Sequence, residues 1–217
     1  MSQAPQLSSL TGRGFFPKEL PPTFTTESFG RFCGTYESKA LSFDCSKEKS
    51  SSKPSMFYLA RAGDLRRDLA ILNPIHYALL CKCVIDNWPA IATRFQSTIS
   101  STTPRVSPNG RAIERLHFLD SIPERRAASR KLGRFLLKTD ISRFYPSVYT
   151  HSIPWAFHSK PASKADRTDA LFGNMIDMRI RNCQDGQTLR SMSPSSRRAT
   201  VKGFLGFSHT SSVIAKT

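Results

Sequence analysis

The stretch that most constrains the fold is Phe135-Leu136-Leu137-Lys138-Thr139-Asp140-Ile141-Ser142-Arg143-Phe144-Tyr145-Pro146. An apolar run, a single carboxylate and then two aromatics predict a buried strand that delivers Asp140 to its end. Pro146 stops the strand from continuing, because it has no N–H to donate. From pattern alone the same acid also reads as a turn former or a helix cap, and these residues by themselves leave that open.

Charge narrows the choice of partner. Thirty-two Lys and Arg stand against sixteen Asp and Glu, a net +16, which favours a polyanion and above all nucleic acid. No run of about 18 apolar residues occurs, and Met1 to Leu10 is polar, so neither membrane insertion nor secretion is expected and the cytoplasm is the default. Five cysteines, without paired CxxC motifs, argue against a disulfide framework and a structural zinc site. Cys81 and Cys83 are expected on one helix, facing different ways.

Along the chain, residues 1 to 11 read as frayed. The aromatic and proline-rich run Phe15 to Pro22 reads as an extended arm that packs its rings elsewhere. Met56 to Ala60 and Leu69 to Leu72 predict a hairpin turning at Ala62-Gly63-Asp64, with Arg61, Arg66 and Arg67 on or near it. Asn73-Pro74 ends that unit. Leu80, Val84, Trp88, Ile91 and Phe95 then form a helical core stripe, interrupted at Pro89, with His76 a capping or core histidine. Residues 97 to 110 read as a loop or hairpin connection. Arg111, Arg115, Arg125, Arg126, Arg130, Lys131 and Arg134 form a basic segment leading to the Asp140 strand, placed to follow a nucleic-acid backbone. Ser152 and Pro154 suggest a helix start, Lys160 to Lys164 a loop, and Ser163 with Asp166 a capping box. The helix after that box carries Leu171, Phe172, Met175, Ile176 and Ile180. Gln184-Asp185-Gly186-Gln187 is a turn signal.

The run TDISRFYPSVYTHSIPWAFH (Thr139 to His158) closely resembles the first catalytic motif, and the following helix, of bacterial reverse transcriptases. The likeness is closest to the unknown-group, defence-associated type that protects against phage. Gly12 to Phe32, Leu65 to Tyr77, Asp86 to Trp88 and Asn182 to Thr188 also match in order, so the resemblance covers most of residues 12 to 188. It implies an α+β fold: the fingers plus a partial palm of a right-hand polymerase, with an extended N-terminal arm. Residues 1–50 are then the arm, 51–134 a fingers-like segment, 135–188 the first part of the palm and 189–217 a degenerate basic tail. It further implies an RNA-directed DNA polymerase, with an RNA template or RNA/DNA hybrid and a dNTP as partners. Asp140 then binds Mg²⁺ with the main-chain carbonyl of Ile141, since hard cations take oxygen ligands. Tyr145 lies under the incoming sugar and excludes a 2′-hydroxyl, while Arg66, Arg67 and Lys138 lie near phosphates.

Beyond Thr188 the resemblance fails. The family's glycine-proline motif is absent there, no acid follows Asp185, and His209 stands where a faint echo of the family has an aspartate. Two-metal nucleotidyl transfer also needs an adjacent carboxylate pair from a later hairpin, and the sequence contains no Asp-Asp. Asp166, Asp169 and Asp177, expected on one helix, cannot replace such a pair. The 217 residues are therefore expected not to polymerise by themselves, as in a truncated or frameshifted member. The alternative is a non-catalytic nucleic-acid-binding protein that retains the polymerase scaffold. An exposed half palm also predicts low solubility or a partner subunit.

Overall fold

The computed structural model describes residues 4–36, 50–60, 66–95, 103–116, 119–130 and 148–188. The N-terminal region is more ordered than its polar sequence suggests. Helix α1 (Leu7–Arg13) buries Leu7, Leu10 and Thr11, and the Thr11 hydroxyl donates to the Leu7 carbonyl at 2.8 Å. The expectation of a frayed segment over residues 1 to 11 is thus corrected from Leu7 onward. Two leucines three apart give one short apolar stripe, and burial against a neighbour stabilises a helix too short to persist alone. That neighbour is α2 (Glu27–Tyr36). The two helices meet at glycines: a Cβ on Gly30 would lie 2.6 Å from the Gly12 Cα. Thr26 fastens the crossing by donating to the Gly12 carbonyl at 2.8 Å.

Between these helices the aromatic run is not the extended arm expected of it, because the Leu20 N–H donates to the Pro17 carbonyl at 3.2 Å and the Phe24 N–H to the Pro21 carbonyl at 3.0 Å, closing two turns, but its first ring packs on other elements as expected. Phe15 packs on Phe29 and Tyr77, with ring centroids 5.5 and 5.0 Å apart, and Tyr77 Oη donates to the Leu10 carbonyl at 3.3 Å. One ring therefore joins α1, α2 and the central helix.

The expected hairpin forms from β1 (Ser55–Ala60) and β2 (Arg66–Ile71), antiparallel from Ser55 opposite Ile71 to Ala60 opposite Arg66. Its expected turn at Ala62-Gly63-Asp64 lies outside the described residues. Asn73 then accepts the Ile75 N–H at 2.9 Å and Pro74 opens α3 (Pro74–Asp86), as a residue without an N–H suits a first helical position. Helix α3 is buried from His76 through Cys81 and again at Cys83 and Val84, with only a narrow open side where Lys82 pairs with Asp86. Cys81 and Cys83 both reach the interior for this reason, although they sit about 200° apart around the axis. Asn87 breaks the helix and donates to the Cys83 carbonyl at 2.8 Å, and α4 (Trp88–Phe95) follows with Trp88 and Ile91 buried.

A second hairpin, β3 (Pro104–Val106) with β4 (Ile113–Arg115), fills the predicted connection. A single 3₁₀ turn (Leu119–Ser121) leads into α5 (Ile122–Arg130). After residue 147 come α6 (Ser152–His158), α7 (Lys160–Ala165) and α8 (Phe172–Asn182). Three local expectations need correction here. Ser152 is inside α6 rather than its cap, and its hydroxyl donates to the Tyr149 carbonyl at 2.6 Å. Lys160 to Lys164 is helical, because Pro161 near its start needs no N–H partner and Ser163 is buried. Ser163 and Asp166 form no capping box: Ser163 donates back to Ser159 at 2.8 Å, and Asp166 ends α7.

Ile176, Ile180 and Cys183 join Leu80, Val84, Trp88 and Ala112 in one apolar core. Segments on both sides of residues 131–147 therefore share a single interior. The turn after α8 takes the predicted place, with Asp185 and Gly186 at φ 61° and 72°. Ser52 binds it on both sides, donating to the Asn182 carbonyl at 2.9 Å and accepting from the Asp185 N–H at 3.1 Å. Among the described residues, helices with two small antiparallel sheets give an α+β fold. Among the described residues no helix is long and apolar enough to cross a membrane.

Candidate nucleic-acid interface

Of the site residues expected from sequence, Lys138, Asp140, Ile141 and Tyr145 lie outside the described residues. Arg66 and Arg67 have described backbone: they open β2 opposite Ala60 and Leu59, at the end of the hairpin away from Ile71. Tyr58, opposite Asp68 on the same hairpin, is 58% exposed.

Several other cations serve the fold. Arg13 donates to the carbonyls of Pro108 and Ser107 and to Ser9 Oγ. Arg111 reaches the carbonyls of Phe16 and Gly14 at 3.4 and 3.5 Å, and Arg94 reaches that of Phe157 at 3.1 Å. A guanidinium suits this task because its planar fork offers several donors at once. Arg13 and Arg111 thus tie the second hairpin to α1 and the aromatic arm. Arg111, read in sequence as part of a template face, is a structural tether, whereas Arg130 at the end of α5 is exposed.

One ionic cluster went unread in the sequence. Asp177 on α8 has a side chain 4% exposed, and its Oδ2 lies 2.6 Å from His151 Nδ1 and 3.3 Å from Arg181 Nε. The histidine contact is a hydrogen bond. The arginine contact is an ion pair by distance without hydrogen-bond alignment, since Arg181 Nε has no hydrogen-bond partner among the described residues. Asp177 Oδ1 likewise has none there. His151 and Arg181 are each about one-third exposed (35% and 32%), so a buried carboxylate holds two donors at the surface. The four-residue spacing of Asp177 and Arg181 was the available signal; nothing local links either to His151.

The other two acids expected on that helix are elsewhere. Asp166 ends α7 and Asp169 lies in the following turn. Asp166 accepts from the Thr168 hydroxyl at 2.5 Å and its N–H at 2.8 Å, and these bonds hold its carboxyl below the usual range.

Among the described residues no three His, Cys, Asp or Glu side chains converge on a point. The Asp177 cluster does not fit a divalent cation, because the Arg181 charge already lies 3.3 Å from its carboxylate. The described residues thus supply no magnesium site, and that assignment rests on Asp140 and Ile141. Cys33, Cys81, Cys83 and Cys183 are buried and form no disulfide with one another. No protein-family model matches the chain, and no curated protein matches it either.

Proposed function

We propose that the chain is the fingers and first part of the palm of a reverse-transcriptase-type, RNA-directed DNA polymerase of the antiphage defence class, and that its retained capacity is to bind nucleic acid. The observation that carries this reading is the run from Thr139 to His158, in which a carboxylate stands five residues before a tyrosine. The antiparallel hairpin bearing Arg66 and Arg67 supports it. So does the core shared by segments before and after residues 131–147, which suits a polymerase subdomain built from both sides of its first catalytic strand.

In this reading Asp140 and the Ile141 carbonyl are the magnesium ligands, and Tyr145 is the sugar gate. Arg66, Arg67 and Lys138 face phosphates of the dNTP and of the template. One carboxylate is too few for two metal ions, so nucleotide addition requires acids that these 217 residues lack. That lack favours the second reading, a non-catalytic nucleic-acid-binding protein on the same scaffold.

The test uses the purified 217-residue chain and a labelled RNA template with a DNA primer. Anisotropy should report binding that weakens steeply with salt. Arg66→Gln with Arg67→Gln should reduce it, and primer extension with Mg²⁺ and dNTPs should be absent. Failure to bind at low salt sinks the proposal. Extension that survives Asp140→Ala sinks the role given to Asp140.

A further inference from the structure

A line of side chains along α6 and its junction with α8 is aromatic and basic by turns. Lys160 Nζ sits 4.9 Å from the centroid of the Trp155 ring. Trp155 lies 5.7 Å from Tyr149, and Tyr149 stands edge-on to His151 at 4.9 Å. His151 is held by Asp177, which also holds Arg181. Tyr149, His151, Trp155 and Arg181 are all partly exposed, and Lys160 is exposed.

Rings that serve only the core are covered, as Trp88 is at 3% exposure. Here two rings reach solvent between cationic groups. With one buried carboxylate against one guanidinium and one ammonium, the line is net positive even when the imidazole is neutral. We propose that it binds single-stranded nucleic acid, with an unpaired base stacking on Trp155 and the adjoining phosphodiester received by Arg181 and His151.

The chemistry favours this occupant. Every base has a π-face, so an aromatic platform beside cations binds single strands with little sequence preference. An exposed ammonium over a ring is a weak contact, so a base can displace Lys160 from Trp155 and free its charge for a phosphate. Asp177 fixes where His151 and Arg181 stand, which lowers the ordering cost of presenting two donors to one anion. A duplex hides its base faces and cannot use the platform. The proposal shares with the reading above a nucleic-acid partner, but it needs neither Asp140 nor polymerase chemistry.

Tryptophan fluorescence tests it, because the chain has two tryptophans and one is buried. The full chain is titrated with oligo(U) and oligo(dT) single strands, with a duplex and with heparin. Quenching is expected with single strands only. It should persist in Trp88→Phe and be lost in Trp155→Leu, which also weakens binding by roughly tenfold. Arg181→Gln and Lys160→Gln should each flatten the logarithmic salt dependence by about one. Circular dichroism establishes that each variant is folded. Should Trp155→Leu misfold, persistence of the quenching in Trp88→Phe still decides the assignment. Equal quenching by heparin or duplex overturns the proposal, as does quenching that survives Trp155→Leu. Anisotropy-detected binding without any quenching overturns this site and leaves the hairpin reading standing. Quenching unchanged by Arg66→Gln and Arg67→Gln supports a separate site.

Discussion

His158 at the end of α6 accepts the backbone N–H of Gly173 at its Nε2, 3.1 Å away. An imidazole from one helix thereby caps the start of another, since Leu171, the residue at the cap of α8, makes no side-chain cap bond of its own. The same ring packs edge-on against Phe172 at 4.5 Å. His158→Ala should lose both contacts and destabilise the protein by about 1–2 kcal/mol. Urea unfolding monitored at 222 nm measures this, and an unchanged midpoint would show that the cap contributes nothing.

The crossing of α1 and α2 depends on the absence of side chains. A Cβ at Gly30 would lie 2.6 Å from both the Gly12 Cα and the Ser8 carbonyl oxygen. These are backbone atoms, which cannot swing aside as a flexible side chain would. Gly30→Ala should therefore cost about 1–3 kcal/mol despite its gain in helix propensity. A neutral or stabilising result in thermal melts would mean that the helices part without loss.

The buried thiols predict an alkaline limit to stability. Burial pushes the Cys183 thiol from 9.0 up to about 12, partly opposed by Arg179. Burial raises Cys81 as well, against a lowering hydrogen bond with Tyr77. Folded values above the unfolded value mean that only the unfolded chain releases these protons as pH rises. Stability is thus level below about pH 9 and falls from there towards 12, by up to about 1.4 kcal/mol per pH unit for each thiol. Unfolding curves from pH 8 to 10.5 should slope downward, less steeply in Cys183→Ala. Identical slopes would remove Cys183 from the explanation.

Asp177 is buried while both its partners are partly solvated, so removing it strands no fully buried cation. Asp177→Ala should cost about 1–3 kcal/mol. Arg181→Gln should cost under about 1 kcal/mol, because Arg181 is itself about one-third exposed and its contact with Asp177 lacks hydrogen-bond alignment. Equal losses from the two substitutions would mean that the arginine, not the histidine, is the main partner.

Legibility followed the range of the interaction. The Asn73-Pro74 helix start, the strands around Phe57 and Leu69, the Leu80 to Ile91 stripe and the turn at Asp185-Gly186 each rest on neighbours within a few residues. Helix α1 did not, because its polar sequence conceals two leucines that matter only once α2 covers them. Lys160 to Lys164 likewise has the composition of a loop, and its helix is held through contacts with α6. The expected metal and sugar-gate residues, Asp140, Ile141 and Tyr145, lie outside the described residues and remain a reading of sequence.

By itself the sequence determined the charge of the chain, along with local starts, stops and periodicities. These are one-dimensional properties that survive any arrangement in space. Only the tertiary structure decided which cations tether the fold and which face solvent. It also brought His151 to Asp177, 26 positions apart, and set Trp155 beside Tyr149 at the surface. A side chain's partner across such distances is chosen by how helices pack, and packing depends on the whole set of buried faces at once.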